Sequence, residues 1–139
     1  MIIICTASAD TYITDKIVNG NIRVTDANVG RASTLDLFTL YNETKLEGTG
    51  TQTEVSRALL KFDLSPITEL TSSILNLNSG RFSATLEMKD IMTGHAVPRN
   101  FTLSAFPLSQ SFDEGVGIDT GRFNDVDTAN YVTASYTTQ

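Results

Sequence analysis

The run Val55-Ser56-Arg57-Ala58-Leu59-Leu60-Lys61-Phe62-Asp63-Leu64 combines the longest apolar content of the chain with charges confined to alternate positions. One face carries Ala58, Leu60, Phe62 and Leu64, and the other Arg57, Leu59, Lys61 and Asp63. That period-two division belongs to a strand packed on one side and partly solvated on the other. Such a strand is expected in the middle of a sheet. Ser65-Pro66 ends it, because proline has no amide hydrogen for a ladder and biases the residue before it to extended geometry.

Other stretches suit the same architecture. Met1-Ile2-Ile3-Ile4-Cys5 lacks a basic leader and is shorter than a signal-peptide core, so it reads as a first strand. Ala9 to Thr14 is β-prone, and Asn19-Gly20-Asn21 is a tight turn leading by a hairpin into Ile22-Arg23-Val24. Asp26 to Gly30 is a second turn cluster. Thr34 to Tyr41 is a strand with apolar residues on both faces, and Asn42 to Thr53 a mobile polar loop. Ile67 to Leu75 has apolar residues at intervals of three and four, which predicts one or two helical turns with Ser65 as N-cap and Pro66 at the first helical position.

Arg81 to Met88 alternates cleanly, with Phe82, Ala84, Leu86 and Met88 expected inward. Thr93 to Asn100 reads as a turn, Phe101 to Phe106 as a resumed strand, and Asp125 as the start of a short helical turn. Val132 to Gln139 is β-prone but polar. Short strands separated by turn signals and linked by little helix predict an all-β chain, an antiparallel β-sandwich with at most one or two short helices.

At 139 residues the chain is expected to form a single domain, 1–139, with a sizeable core. Sixteen acidic against ten basic residues give a net charge of −6 with no Lys/Arg cluster, which argues against a nucleic-acid partner. No apolar run approaches the ~18 residues of a membrane span, so a membrane partner is not expected either. A single cysteine, Cys5, leaves no internal disulfide and reads as a buried thiol.

Four motifs in order carry a family resemblance: Ala9-Asp10-Thr11-Tyr12-Ile13, Asn28-Val29-Gly30-Arg31-Ala32, Arg57-Ala58-Leu59-Leu60-Lys61-Phe62-Asp63-Leu64-Ser65 and Ser111-Phe112-Asp113-Glu114-Gly115. Together they resemble the DNRLRE (disaggregatase-related) domain across nearly the whole chain. The resemblance implies a jelly-roll-like β-sandwich whose structural positions fall at Asp10, Thr11, Tyr12, Asn28, Gly30, Arg57, Phe62, Asp63, Phe112, Glu114 and Gly115. Members of that family accompany extracellular polysaccharide-active enzymes and cell-surface proteins, and some bind carbohydrate. They continue past the acidic glycine segment with tryptophan-bearing strands, whereas this sequence has no tryptophan, so either those last strands are expected to be lacking or a final strand is replaced by something else.

A stand-alone version starting at Met1 looks more like those among tailed-phage virion proteins, which decorate or cement capsids or build tails and fibres. The resemblance then implies a virion component assembled in the host bacterial cytoplasm. Its expected partners are capsid or tail subunits and further copies of itself, contacted through the Asn42 to Thr53 loop and the Val132 to Gln139 tail. The alternative implied function is a carbohydrate-binding module, for which Tyr12, Tyr41, Tyr131 and Tyr136 are the rings able to stack on sugars.

Catalytic readings find little footing in the residues. His95 is the sole histidine and sits in a turn, so any nucleophilic triad must use it and two-histidine zinc patterns are ruled out. Asp113 and Glu114 adjoin, which on a strand points them to opposite faces and makes a poor glycosidase pair. No catalytic residue or cofactor is therefore expected, with calcium as the one alternative, at Asp119, Asp125 and Asp127. Arg57, Lys61 and Asp63 read as a cross-strand ion ladder. The sequons at Asn42 and Asn100 read as chance.

Overall fold

A computed structural model describes residues 1–43, 52–71, 75–91, 100–120 and 128–134. Its longest strand is the run expected at the centre. Strands β1 (Ala7–Thr14), β2 (Ile17–Val18), β3 (Ile22–Arg23), β4 (Thr39–Tyr41) and β5 (Thr53–Phe62) precede one short helix, α1 (Ser65–Thr71). The described residues are therefore all-β with antiparallel pairing, and β5 lies between β1 and β4 in a sheet ordered β1-β5-β4.

The chain divides into two compact units. The larger, Thr6–Phe62 with Gln110–Gln139, holds every strand found among the described residues. Along β1 and β5 the register sets Tyr12 opposite Ala58 and Thr14 opposite Ser56, after a bulge between Ala7 and Ala9. The β2–β3 hairpin turns at Asn19 and Gly20, both with positive φ (51° and 75°), the geometry for which an Asn-Gly pair is suited. Its core is small: Tyr12, Ile17, Val24, Ala27, Val29, Phe112 and Ala129 are buried, interleaved with buried Thr11, Thr14, Asp15, Asn28, Glu54 and Asn130.

Strand β4 is shorter than the expected Thr34 to Tyr41. The Ser56 hydroxyl accepts the Phe38 amide (2.8 Å) and donates to the Asp36 carbonyl, so a side chain occupies positions that ladder bonds would take. Burial there is one-sided, since Leu40 is half-buried and Tyr41 is exposed.

The smaller unit comprises Met1–Cys5 and Asp63–Ser109. Its helix starts at Ser65, one residue before the expected first helical position. The Leu64 carbonyl accepts the first helical bond, from the Thr68 amide (3.0 Å), and the Asp63 carboxylate accepts the Ser65 amide (2.9 Å). Asp63 thus fixes the helix start in place of Ser65 and takes no part in an ion ladder.

Three expected strands are not formed among the described residues. Met1 to Cys5, Arg81 to Met88 and Phe101 to Phe106 have no ladder partner, and large apolar side chains at Ile2, Ile4, Phe82, Leu86, Met88, Phe101, Leu103 and Phe106 are exposed. Cys5 is half-buried. Alternation promises a strand only when another edge is present to pair with it, and no described segment supplies one. The turn expected at Thr93 to Asn100 and the helical turn at Asp125 lie outside the described residues but for Asn100, which is exposed.

Candidate structural clasp

The best-defined polar site in the larger unit is built on Asn28, which is buried after the turn that contains Ala27. Its amide nitrogen donates to the carbonyls of Glu114 (2.7 Å) and Ala129 (3.0 Å). Its Oδ1 accepts the amides of Gly30 (3.1 Å) and Gly117 (3.0 Å). Both donors and both lone pairs of the side chain are therefore used, the full capacity of an asparagine amide.

Glycine at positions 30, 115 and 117 follows from this crowding. A Cβ at Gly30 would overlap the Glu114 carbonyl, and one at Gly117 would overlap the Asn28 carbonyl. Gly115 has a φ of +80° and lies against the Asn28 side chain, so it needs both the conformational freedom and the missing Cβ. The Arg31 amide closes the loop by donating to the Gly117 carbonyl (2.8 Å).

Glu114 extends the clasp to the sheet. Its Oε1 accepts the Asp10 amide of β1 (2.8 Å), which occupies a donor on the outer edge of that strand. The neighbouring Asp113 carbonyl accepts the Ala129 amide (2.9 Å), and the Asn130 Oδ1 accepts the amides of Val132 and Thr133. Phe112 is buried beside them in sequence. Asp10, Asn28, Gly30, Glu114 and Gly115 from the motif set are thus brought together, through the backbone or side chain of each.

Other motif residues lie elsewhere. Thr11 and Tyr12 are buried on β1, and Phe62 is half-buried at the end of β5. Arg57 places its guanidinium over the Tyr131 ring at 5.6 Å. Its cross-strand partner is Ile13 and that of Lys61 is Ala9, so the expected ion ladder is not formed among the described residues.

A second polar cluster, not anticipated from the sequence, joins the β2–β3 hairpin to β5. Arg23 pairs with the Asp15 carboxylate (2.6 Å) and donates to the Gln52 side chain (2.7 Å). The other Asp15 oxygen accepts the Val55 amide (2.7 Å), and Glu54 Oε2 accepts the Ile17 amide (2.8 Å). Glu54 Oε1 is buried without a partner among the described residues. These contacts join residues up to 40 positions apart, and no spacing rule points to them.

The remaining candidates divide by exposure. Burial, then the charges of Asp36 and Asp119, push the Tyr12 phenol up to about 12. Its ring is buried and Tyr131 lies under Arg57, which leaves Tyr41 as the exposed tyrosine among the described residues. Of the calcium candidates, Asp119 is exposed, while Asp125 and Asp127 lie outside the described residues, as do His95 and Tyr136. Asn42 bridges the ends of the polar loop through its amide, which donates to the Gln52 carbonyl, and its Oδ1, which accepts the Gln52 amide.

Comparison with family models, with curated proteins and with solved structures gives no match to this chain.

Proposed function

We propose that this chain is a structural protein acting by protein–protein binding, a component of a bacteriophage particle that decorates or cements a capsid or forms part of a tail or fibre. Its partners in this reading are capsid or tail subunits and further copies of itself. The larger unit is the rigid body, a sandwich of jelly-roll type held by the Asn28 clasp. The smaller unit is the adhesive part.

One observation carries the reading. Phe82, Leu86 and Met88, then Phe101, Leu103 and Phe106, expose apolar side chains on segments patterned as strands, with Phe106 81% exposed. Scattered surface leucines are ordinary, but apolar residues concentrated on two β-patterned segments mark a surface that a partner covers. The motif resemblance supplies the phage setting, and the saturated hydrogen bonds of Asn28 favour a scaffolding role for the motif residues.

Cross-linking mass spectrometry on the native source tests the reading. Links from Arg81 to Ile91 or from Asn100 to Leu108 to another polypeptide, or to a second copy, are expected. Links confined within single chains would overturn it.

A further inference from the structure

We infer that residues 82–86 form an antiparallel strand pair with the same residues of a second copy, about a two-fold axis at Ala84, with Arg81 and Glu87 flanking it beside the Ser79–Phe82 turn. The inference rests on the assembly reading above and names the partner.

Every residue from Arg81 to Ile91 is exposed. From Ser83 to Ile91 no backbone amide or carbonyl has a bonded partner among the described residues. The even positions Phe82, Ala84, Leu86 and Met88 are apolar, and the odd positions Arg81, Ser83, Thr85 and Glu87 are polar. An antiparallel partner must keep apolar opposite apolar, which requires the axis to pass through a residue and not between two.

An axis at Met88 sets apolar Leu86 against Asp90 and breaks the alternation, although it pairs Glu87 with Lys89, and charge selects among the registers centred on Ser83 to Leu86. With the axis at Ala84, Arg81 lies opposite Glu87 and Phe82 opposite Leu86, each twice by symmetry. Moving the axis to Thr85 sets Arg81 against Lys89, a pair of like charges. An axis at Ser83 or Leu86 leaves no oppositely charged residues facing one another. Cross-strand ion and aromatic–aliphatic pairs stabilise a ladder, and directly opposed like charges weaken it. An isologous contact of this kind closes at two copies, as a two-fold interface must.

Light scattering on the purified full chain, with engineered cysteines, tests the register. In a Cys5→Ser background, Ala84→Cys should form a disulfide-linked dimer on oxidation. Directly opposed residues lie about 4.5–5.5 Å apart between Cα atoms, within the range a disulfide spans. Thr85→Cys should stay monomeric after denaturation, because its own mate is displaced along the strand. Arg81→Glu and Glu87→Arg alone should each weaken the dimer about tenfold or more, and the two together should restore it. Restoration in the double variant attributes the loss to the charge pair and not to either substitution by itself.

A dimer linked through Thr85→Cys and not Ala84→Cys would overturn the register. A chain monomeric at every concentration, yet cross-linked to a different polypeptide in its native source, would overturn self-pairing and leave the assembly reading standing. A monomer with no intermolecular links in its source would overturn both.

Discussion

The Asn28 amide donates to the Glu114 carbonyl at 2.7 Å across 86 positions of sequence, and the Glu114 carboxylate in turn holds the Asp10 amide at 2.8 Å. Three motif segments are thereby fastened by two side chains. Removing either leaves buried or half-buried backbone groups without partners, at a cost of up to about 1–3 kcal/mol for each that is fully buried.

Asn28→Ala is therefore expected to destabilise the larger unit by about 3 kcal/mol or more, since the carbonyls of Glu114 and Ala129 and the amides of Gly30 and Gly117 all lose a partner. Asn28→Asp should cost at least as much, because its second carboxylate oxygen takes the place of the two donors and faces the carbonyls of Glu114 and Ala129. Urea denaturation midpoints measure the order. Equal stability of Asn28→Ala and the parent would remove the clasp from the account.

Glycine substitutions separate crowding from backbone strain. Gly30→Ala meets the Glu114 carbonyl and should cost about 1–3 kcal/mol or prevent folding. Gly20→Ala has open space but a φ of +75°, so a penalty of about 1 kcal/mol is expected. Gly80→Ala has open space and no positive φ, and should be neutral. Thermal midpoints of the three variants give the comparison.

Glu54 tests the second polar cluster. Glu54→Ala leaves the buried Ile17 amide unpaired and should cost about 1–3 kcal/mol. Glu54→Gln keeps an acceptor for that amide at nearly the same volume, so it should retain more stability than the alanine variant. Chemical denaturation of the two variants side by side decides it.

The Tyr12 phenol gives stability a dependence on alkaline pH. Its value is raised in the fold from 10.0 to about 12, so the native state keeps a proton that the unfolded chain releases. The stabilisation is complete below pH 10 and is lost as pH rises toward about 12. Tyr12→Phe should flatten that decline, measured by denaturation at successive pH values. Asp63 has the opposite sign. Hydrogen bonds from the Ser65 amide and hydroxyl hold its carboxyl below the ordinary value, so its support of the helix is lost on acidification. The Ser65 amide resonance should report that loss, and Asp63→Asn should move it.

Local signals made part of the fold legible. The alternation of residues 55–64 placed β5 at the centre of its sheet, Asn19-Gly20 marked a hairpin turn, and Ser65-Pro66 fell at the start of the helix, two residues beyond the strand end at Phe62. Long-range chemistry was not legible in the same way. Nothing in the local pattern joins Asp15 to Val55 or Arg23 to Gln52, because polar contacts have no period. The clasp was visible only as motifs in order, without the hydrogen bonds that explain them. At residues 81–88 the alternation is real but its partner is not among the described residues, so a correct pattern predicted burial that the single chain does not provide.

Amide hydrogen exchange separates a clasped larger unit from a self-pairing segment by comparing a peptide spanning Arg81 to Ile91 with one spanning Val24 to Gly30 as protein concentration rises. The Asn28 region is expected to be protected throughout, and the Arg81 to Ile91 amides to become protected as copies associate. Exchange of Arg81 to Ile91 at the rate of a free chain at every concentration, and in the native source as well, would contradict this expectation.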